Sequence, residues 1–320
     1  MITRLPFLAW PRGQSRLTIL FYHRVLAHPD PLRPGEFDAA SFLAHMQMVS
    51  ANLHALPLAE AVSRLRDDSL PERACCITFD DGYADNLTVA QPILERFDLP
   101  ATVFVATGYL DGGRMFNDTL TEMVARFSGS DLDLRNFELG RHPTADVAQR
   151  RAAIAALLER AKRWTPEVRE ERIIAASKAM GTRDLPNDLM LTSAQLRELS
   201  RRGVEIGAHT VSHAILSTLN VEAARQEVAG GRARLEETLG RPVRLFAYPN
   251  GVPGRDYDAG HATLIRELGF DCAVSTARGV AMAGCDLYQL PRFQAWTGNP
   301  FKLATHLVRN ARSGCDYAMA

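Results

Sequence analysis

The chain has 320 residues, 46% of them hydrophobic and 23% charged, and its 37 basic residues are matched by 37 acidic ones. That length buries a large core without disulfide support and suits one large α/β barrel or two ordinary domains. A formal net charge of zero argues against the broad basic face that nucleic-acid binding needs, and no run approaches the ~20 apolar residues of a membrane helix.

From the N-terminus, Pro6 and Pro11 interrupt the first apolar residues before a signal-peptide core can build up. The expected compartment is therefore the cytoplasm, with association to a membrane surface left open. Apolar, β-rich runs at 17–22, 74–79, 101–106, 204–208, 243–248 and 270–275 read as strands. Between them, residues 39–50, 58–66, 86–97, 193–202, 221–239 and 256–268 carry helical periodicity. Strand, helix, strand is the rhythm of a parallel sheet with crossover helices, and six to eight such units close most economically into a barrel. Residues 110–191 break the rhythm: no strand stands out, and 119–127, 145–164 and 166–180 read as helices. This stretch is expected to be a helical insertion within one domain spanning 1–320, either a substrate-binding wall or a structural cover.

The five cysteines, Cys75, Cys76, Cys272, Cys285 and Cys315, are odd in number and show no C-x-x-C spacing, so a disulfide framework is not expected. Cys75 and Cys76 sit in the apolar run of a strand and read as small buried hydrophobes.

In a parallel barrel the chemistry gathers at the C-terminal ends of the strands. Four ends stand out: Tyr22-His23-Arg24, Phe79-Asp80-Asp81-Gly82, His209-Thr210-Val211-Ser212-His213 and Tyr248-Pro249-Asn250-Gly251. Two histidines four apart can share a divalent cation, although the spacing alone is common. Adjacent carboxylates at the end of an apolar strand are costly to hold together without a cation or strong donor nearby. One carboxylate plus two imidazoles makes three protein ligands with positions left for water and substrate, the set of a catalytic metal site.

Thr78-Phe79-Asp80-Asp81-Gly82 together with His209-Thr210-Val211-Ser212-His213 resembles the polysaccharide deacetylases, the NodB-type carbohydrate esterases of family four. Phe246-Ala247-Tyr248-Pro249-Asn250-Gly251 and Leu290-Pro291-Arg292 are similar to their later motifs, so the resemblance runs from Leu17 to Arg292. It implies a distorted (β/α) barrel that removes N-acetyl groups from amino sugars with zinc, or with cobalt, nickel or manganese in its place. Carried over, Asp81, His209 and His213 would hold the metal and Asp80 would be the general base. Asn250, where many relatives have Tyr, would offer a backbone N–H to the oxyanion, with Tyr248 beside it. Arg292 would orient Asp80 and keep its pKa low, unless it is simply a surface arginine after a proline.

A general acid must protonate the leaving amine. Many relatives use a histidine in a C-terminal motif, but the last two here, His261 and His306, lie in no matching context. The Tyr22-His23 pair instead resembles the exopolysaccharide deacetylase subgroup, whose acid comes from an N-terminal Tyr-His pair, and His23 is the expected acid. Asn117 and Asp118 either reach the site or, in the case of Asn117, cap the next helix. The implied substrate is an N-acetylated poly- or oligosaccharide, with a lipid-linked form allowed, used in making an exopolysaccharide or another surface glycan. An uncharged sugar of this kind would fit the neutral charge balance. Other readings remain: the same metal site hydrolysing a phosphoester or a non-sugar amide, or a glycan-binding barrel that has lost catalysis.

Overall fold

The computed structural model describes residues 6–11, 13, 15–181, 185–294 and 297–313. Seven parallel strands form the barrel: β1 (Arg16–Tyr22), β2 (Ala74–Phe79), β3 (Thr102–Val105), β4 (Glu205–Ala208), β5 (Leu245–Ala247), β6 (Cys272–Arg278) and β7 (Leu290–Gln294). Each pairs with the next in sequence, and β1 pairs with both β2 and β7, which closes the ring. The expectation of a closed α/β barrel holds.

Six of these strands fall on the runs read from sequence. The seventh, β7, went unread as a strand because Pro291 removes a ladder donor. Its register against β6 is irregular there, running from Val274 opposite Leu290 to Arg278 opposite Arg292, so the missing N–H falls at a break in the ladder.

Every residue of β2 is buried, because the strand faces the barrel interior on one side and helices on the other. Alternate residues sort accordingly. Leu17, Ile19, Ala74, Cys76, Phe104, Leu245, Cys272 and Leu290 share one core cluster, drawn from strands all round the ring. Leu20, Tyr22, Cys75, Ile77 and Val103 join the larger cluster beneath the helices.

Helices α1 (Ala39–Asn52) and α2 (Leu58–Arg66) lie between β1 and β2. Helix α2 plugs the N-terminal end of the barrel: Leu58, Ala61 and Leu65 enter the interior cluster, and Glu205 at the start of β4 accepts from the Leu58 N–H. After β2 the chain makes a π-helical turn, Asn86–Ala90, and then α3 (Gln91–Glu95), where one continuous helix was expected.

Between β3 and β4 come α4 (Phe116–Arg126), α5 (Val147–Ala161), α6 (Pro166–Ala179) and α7 (Ser193–Arg201). Contrary to the reading of this stretch as strand-free, an antiparallel hairpin pairs Asp131–Leu134 with Gly140–Pro143. Its strands are four residues each and its first alternates exposed Asp with buried Leu, a pattern too short and too acidic to stand out as β. Leu132, Leu134, Leu139, Met123, Val124 and Leu157 build a separate core for the region.

Helices α8 (Val221–Leu239), α9 (Ala259–Glu267) and α10 (Pro300–Arg312) complete the outer layer. Each starts at a capping side chain, Asn220, Asp258 and Asn299 respectively. Among the cysteines, Cys75, Cys76 and Cys272 are free and buried. Cys285 is disulfide-bonded, a cross-link the odd count did not suggest, and Cys315 lies outside the described residues. No helix among the described residues is long and apolar enough to cross a membrane.

Candidate active site

A cavity of about 750 Å³ opens over the C-terminal ends of the strands and is lined by His23, Asp80, Asp81, His209, His213, Asn250 and Arg292, among others. Those seven come from the ends of β1, β2, β4 and β5 and from within β7. Tyr248 does not join them. Its ring stacks on Tyr257 with centroids 3.7 Å apart and its hydroxyl donates to the Tyr288 carbonyl, which holds the side chain in the core.

Sharp backbone turns aim the tips. Asp81, Thr210, His213 and Asn250 all have positive φ, at 75°, 65°, 57° and 56°. A left-handed residue other than glycine costs roughly 1–2 kcal/mol, so each of these four turns carries strain. Any residue other than glycine would be strained at Gly82, where φ is 86° and a Cβ would stand 2.9 Å from Val105 Cγ1.

Asp80 is fixed by Arg292. The guanidinium donates to both carboxylate oxygens, Nη1 to Oδ1 and Nη2 to Oδ2 at 2.7 Å each, while its Nε donates to the Ser275 carbonyl at 2.8 Å. The arginine side chain is wholly buried and lies 4.4 Å over the Phe21 ring. It is not a surface residue. Burial alone would raise the Asp80 carboxyl, but Arg292, with His209 and His23 behind it, outweighs that and holds the group below its ordinary value. Asp80 is thus an oriented, ionised acceptor beside the cavity.

Asp81 faces the two imidazoles. Its Oδ1 lies 3.5 Å from His209 Nε2 and 3.3 Å from His213 Nε2. That oxygen is buried and accepts no hydrogen bond. The other ring nitrogen of His209, Nδ1, is 2.7 Å from the Ala247 carbonyl, so it carries the proton and the Nε2 lone pair points at Asp81. Burial opposes charge on all three groups. It takes His213 down to about 4, whereas the paired charges leave His209 raised and Asp81 lowered. An orphaned carboxylate oxygen, two imidazole nitrogens aimed at it and ligand atoms all within 4.8 Å of one another fit a divalent cation.

The turn carrying His213 is held from α8. Glu227 accepts from the Val211 and Ser212 N–H groups at 2.9 and 2.8 Å and from the Ser212 hydroxyl at 2.8 Å. Gly231 lets the helix approach, since a Cβ there would meet the Thr210 carbonyl oxygen at 2.7 Å. Glu227→Ala is expected to cost about 2 kcal/mol in urea unfolding, because three donors lose a charged acceptor, and to weaken zinc binding along with it. Unchanged zinc affinity would mean that the turn holds itself.

Sequence reading missed Glu227, whose only signal is distance: it stands fourteen residues past His213, inside a helix. It also missed the clamp on His23. Asn86 Nδ2 donates to the His23 carbonyl at 2.9 Å, and Asp85 accepts from Arg24 Nε at 2.8 Å and from the Val25 N–H at 3.2 Å. Asp118 faces the same arginine and accepts from the Tyr83 hydroxyl. Asn117 lines the cavity from the first turn of α4 and is not its cap, which is Met115. Glu36 also lines the cavity, and burial raises its carboxyl.

A closed parallel barrel with an ionised, arginine-held carboxylate next to a carboxylate–imidazole cluster is built as a hydrolase, able to take a proton from water and to hold a cation beside it. The chain belongs to the polysaccharide deacetylase family, whose model matches residues 67–135 and 141–273. Among curated proteins it is 22% identical to YxkH of Bacillus subtilis (strain 168), a candidate polysaccharide deacetylase, over 91% of this chain and 76% of that one. Its fold matches the Streptococcus pyogenes deacetylase PplD, solved with acetate, at a TM-score of 0.61 and 20% identity, covering 94% of this chain and all of that one. It also matches IcaB from Ammonifex degensii at a TM-score of 0.57 and 20% identity, covering 94% and 99%.

Proposed function

We propose that the chain is a metal-dependent deacetylase that hydrolyses the N-acetyl groups of amino sugars in an oligo- or polysaccharide, in the making of an exopolysaccharide or other surface glycan. The whole of 1–320 would be one deacetylase domain, with 110–191 forming a wall of the cavity. The observation that carries the reading is the orphaned Asp81 Oδ1 facing His209 Nε2 and His213 Nε2, next to an Asp80 that Arg292 holds ionised.

Asp81, His209 and His213 would hold the cation, with zinc the best match to one carboxylate and two imidazoles and cobalt, nickel or manganese able to replace it. Bound there, it supplies positive charge to polarise the amide carbonyl and the attacking water. Asp80 takes the proton of that water as its oxygen bonds to the acetyl carbon. The Asn250 N–H, which makes no hydrogen bond among the described residues, is free to donate to the oxygen that gains charge. His23 gives its proton to the nitrogen as the carbon–nitrogen bond breaks, leaving acetate and a free amine.

His23→Ala tests the acid. We expect kcat for acetate release from N-acetylglucosamine oligomers to fall by roughly 10²- to 10³-fold with zinc affinity retained. An unchanged kcat and pH profile would move the role to another group.

A further inference from the structure

Beside the active-site cavity lies a second one, of about 680 Å³, between α6 and the loops at the ends of β3 and β4. The two are continuous in their walls. Phe116 lines both, and Ser212 of the second cavity adjoins His213 of the first. Each has the volume of a site for a ligand larger than one sugar, so a single N-acetyl sugar over Asp80 and Asp81 leaves the second cavity unfilled.

Its walls are suited to a charged sugar. Tyr109 and Phe116 supply aromatic surface, and Arg169 lies 4.1 Å over the Phe116 ring. Arg114, Arg169 and Lys178 bring three cations against one carboxylate, Glu170. Arg114 is half-buried, donates to the Thr119 hydroxyl and the Pro186 carbonyl, and is in no ion pair among the described residues; burial lowers its pKa. Lys178 stands exposed and is in no ion pair among the described residues. At the active-site cavity the charges balance, with Lys162, Arg278 and Arg292 against Glu36, Asp80 and Asp81, so the cationic excess belongs to the second cavity alone. In a chain of zero net charge this clustering is local, and a cleft lined by one sign of charge concentrates ligands of the other.

We propose that the second cavity is a distal subsite for an anionic sugar, carrying carboxylate or phosphate, on the same saccharide whose N-acetyl group reaches Asp80. The proposal rests on the deacetylase reading for the position of the reacting sugar. A guanidinium or ammonium group pairs with either oxyanion by a charge-assisted hydrogen bond, which Arg114 Nη2 and the exposed Lys178 can each offer, and Phe116 separates the charged sugar from the reacting one.

The test measures binding, which does not require turnover. Calorimetry with the full chain in chelator at low salt would compare three tetrasaccharides: neutral N-acetylchitotetraose, a hyaluronan tetrasaccharide bearing carboxylates, and N-acetylchitotetraose bearing a phosphate monoester. We expect at least one anionic ligand to bind about tenfold tighter than the neutral one, and the gap to close in Lys178→Glu or at about 0.5 M salt. Preference for one anion identifies carboxylate or phosphate as the group. Equal affinity for all three, or a Lys178→Glu variant that weakens all three equally, would overturn the subsite. A protein that releases no acetate from any of them but keeps the anionic preference would sink the deacetylase reading and leave the subsite standing.

Discussion

Asp80→Asn is expected to lower acetate release by about 10³- to 10⁴-fold while the protein still binds zinc. The substitution keeps the shape of the side chain and removes the only acceptor at that place able to take a proton. It also carries a second effect, in stability. Arg292 is wholly buried, and its two Nη groups both donate to Asp80. An asparagine turns an NH₂ toward one of them, so a buried cation loses its counter-charge, at a cost on the order of 3 kcal/mol. Denaturant unfolding should therefore show a less stable but folded variant. Acetate release at the wild-type rate would remove Asp80 as the base; loss of zinc binding as well would mean that the two adjacent carboxylates work as one unit.

The second large effect is at the neighbouring residue and depends on whether metal is bound. Without a cation, burial opposes the charge on Asp81, but His213 and His209 outweigh it and hold the carboxyl below its ordinary value, while Oδ1 accepts no hydrogen bond. Asp81→Asn should make the metal-free protein somewhat less stable at neutral pH, since a carboxyl held below its ordinary value in the fold contributes stability there and the variant loses it. With zinc at 100 times its dissociation constant, the wild type should gain about 2.7 kcal/mol and the variant nearly nothing. Activity should fall to background, as in His209→Ala, which removes the imidazole that Ala247 orients. Equal stabilisation of Asp81→Asn and wild type by zinc would place the metal elsewhere.

The strand tips were legible because barrel chemistry leaves polar residues where apolar runs end: Asp80-Asp81 after β2, His209 after β4, His23 after β1. Their partners were not, because what fixes them is tertiary. Arg292 reads as an arginine after a proline until β7 is seen to place it against Asp80, 212 residues away in sequence. Glu227 sits in an ordinary amphipathic helix, and Asp85 and Asn86 reveal their hold on residues 23–25 only when β1 and β2 lie side by side. Tyr248 was read with its motif neighbours, yet the alternation of β5 continues one residue past the strand and turns its ring into the core, while Asn250 takes the left-handed turn into the cavity. The hairpin at 131–143 escaped notice because four residues of alternating Asp and Leu carry little β-propensity, and its buried leucines find their partners on α4 and α5. Net neutrality fits an uncharged substrate, but a total charge says nothing about where charges gather, and Arg114, Arg169 and Lys178 all line the cavity beside the active site.

The most direct test of the central claim is acetate release from N-acetylglucosamine oligomers by protein stripped with chelator and then titrated with zinc. The geometry of Asp81, His209 and His213 predicts activity at background in the stripped protein, restored in full by one equivalent of zinc per chain. Stripped protein that releases acetate at the untreated rate would contradict it.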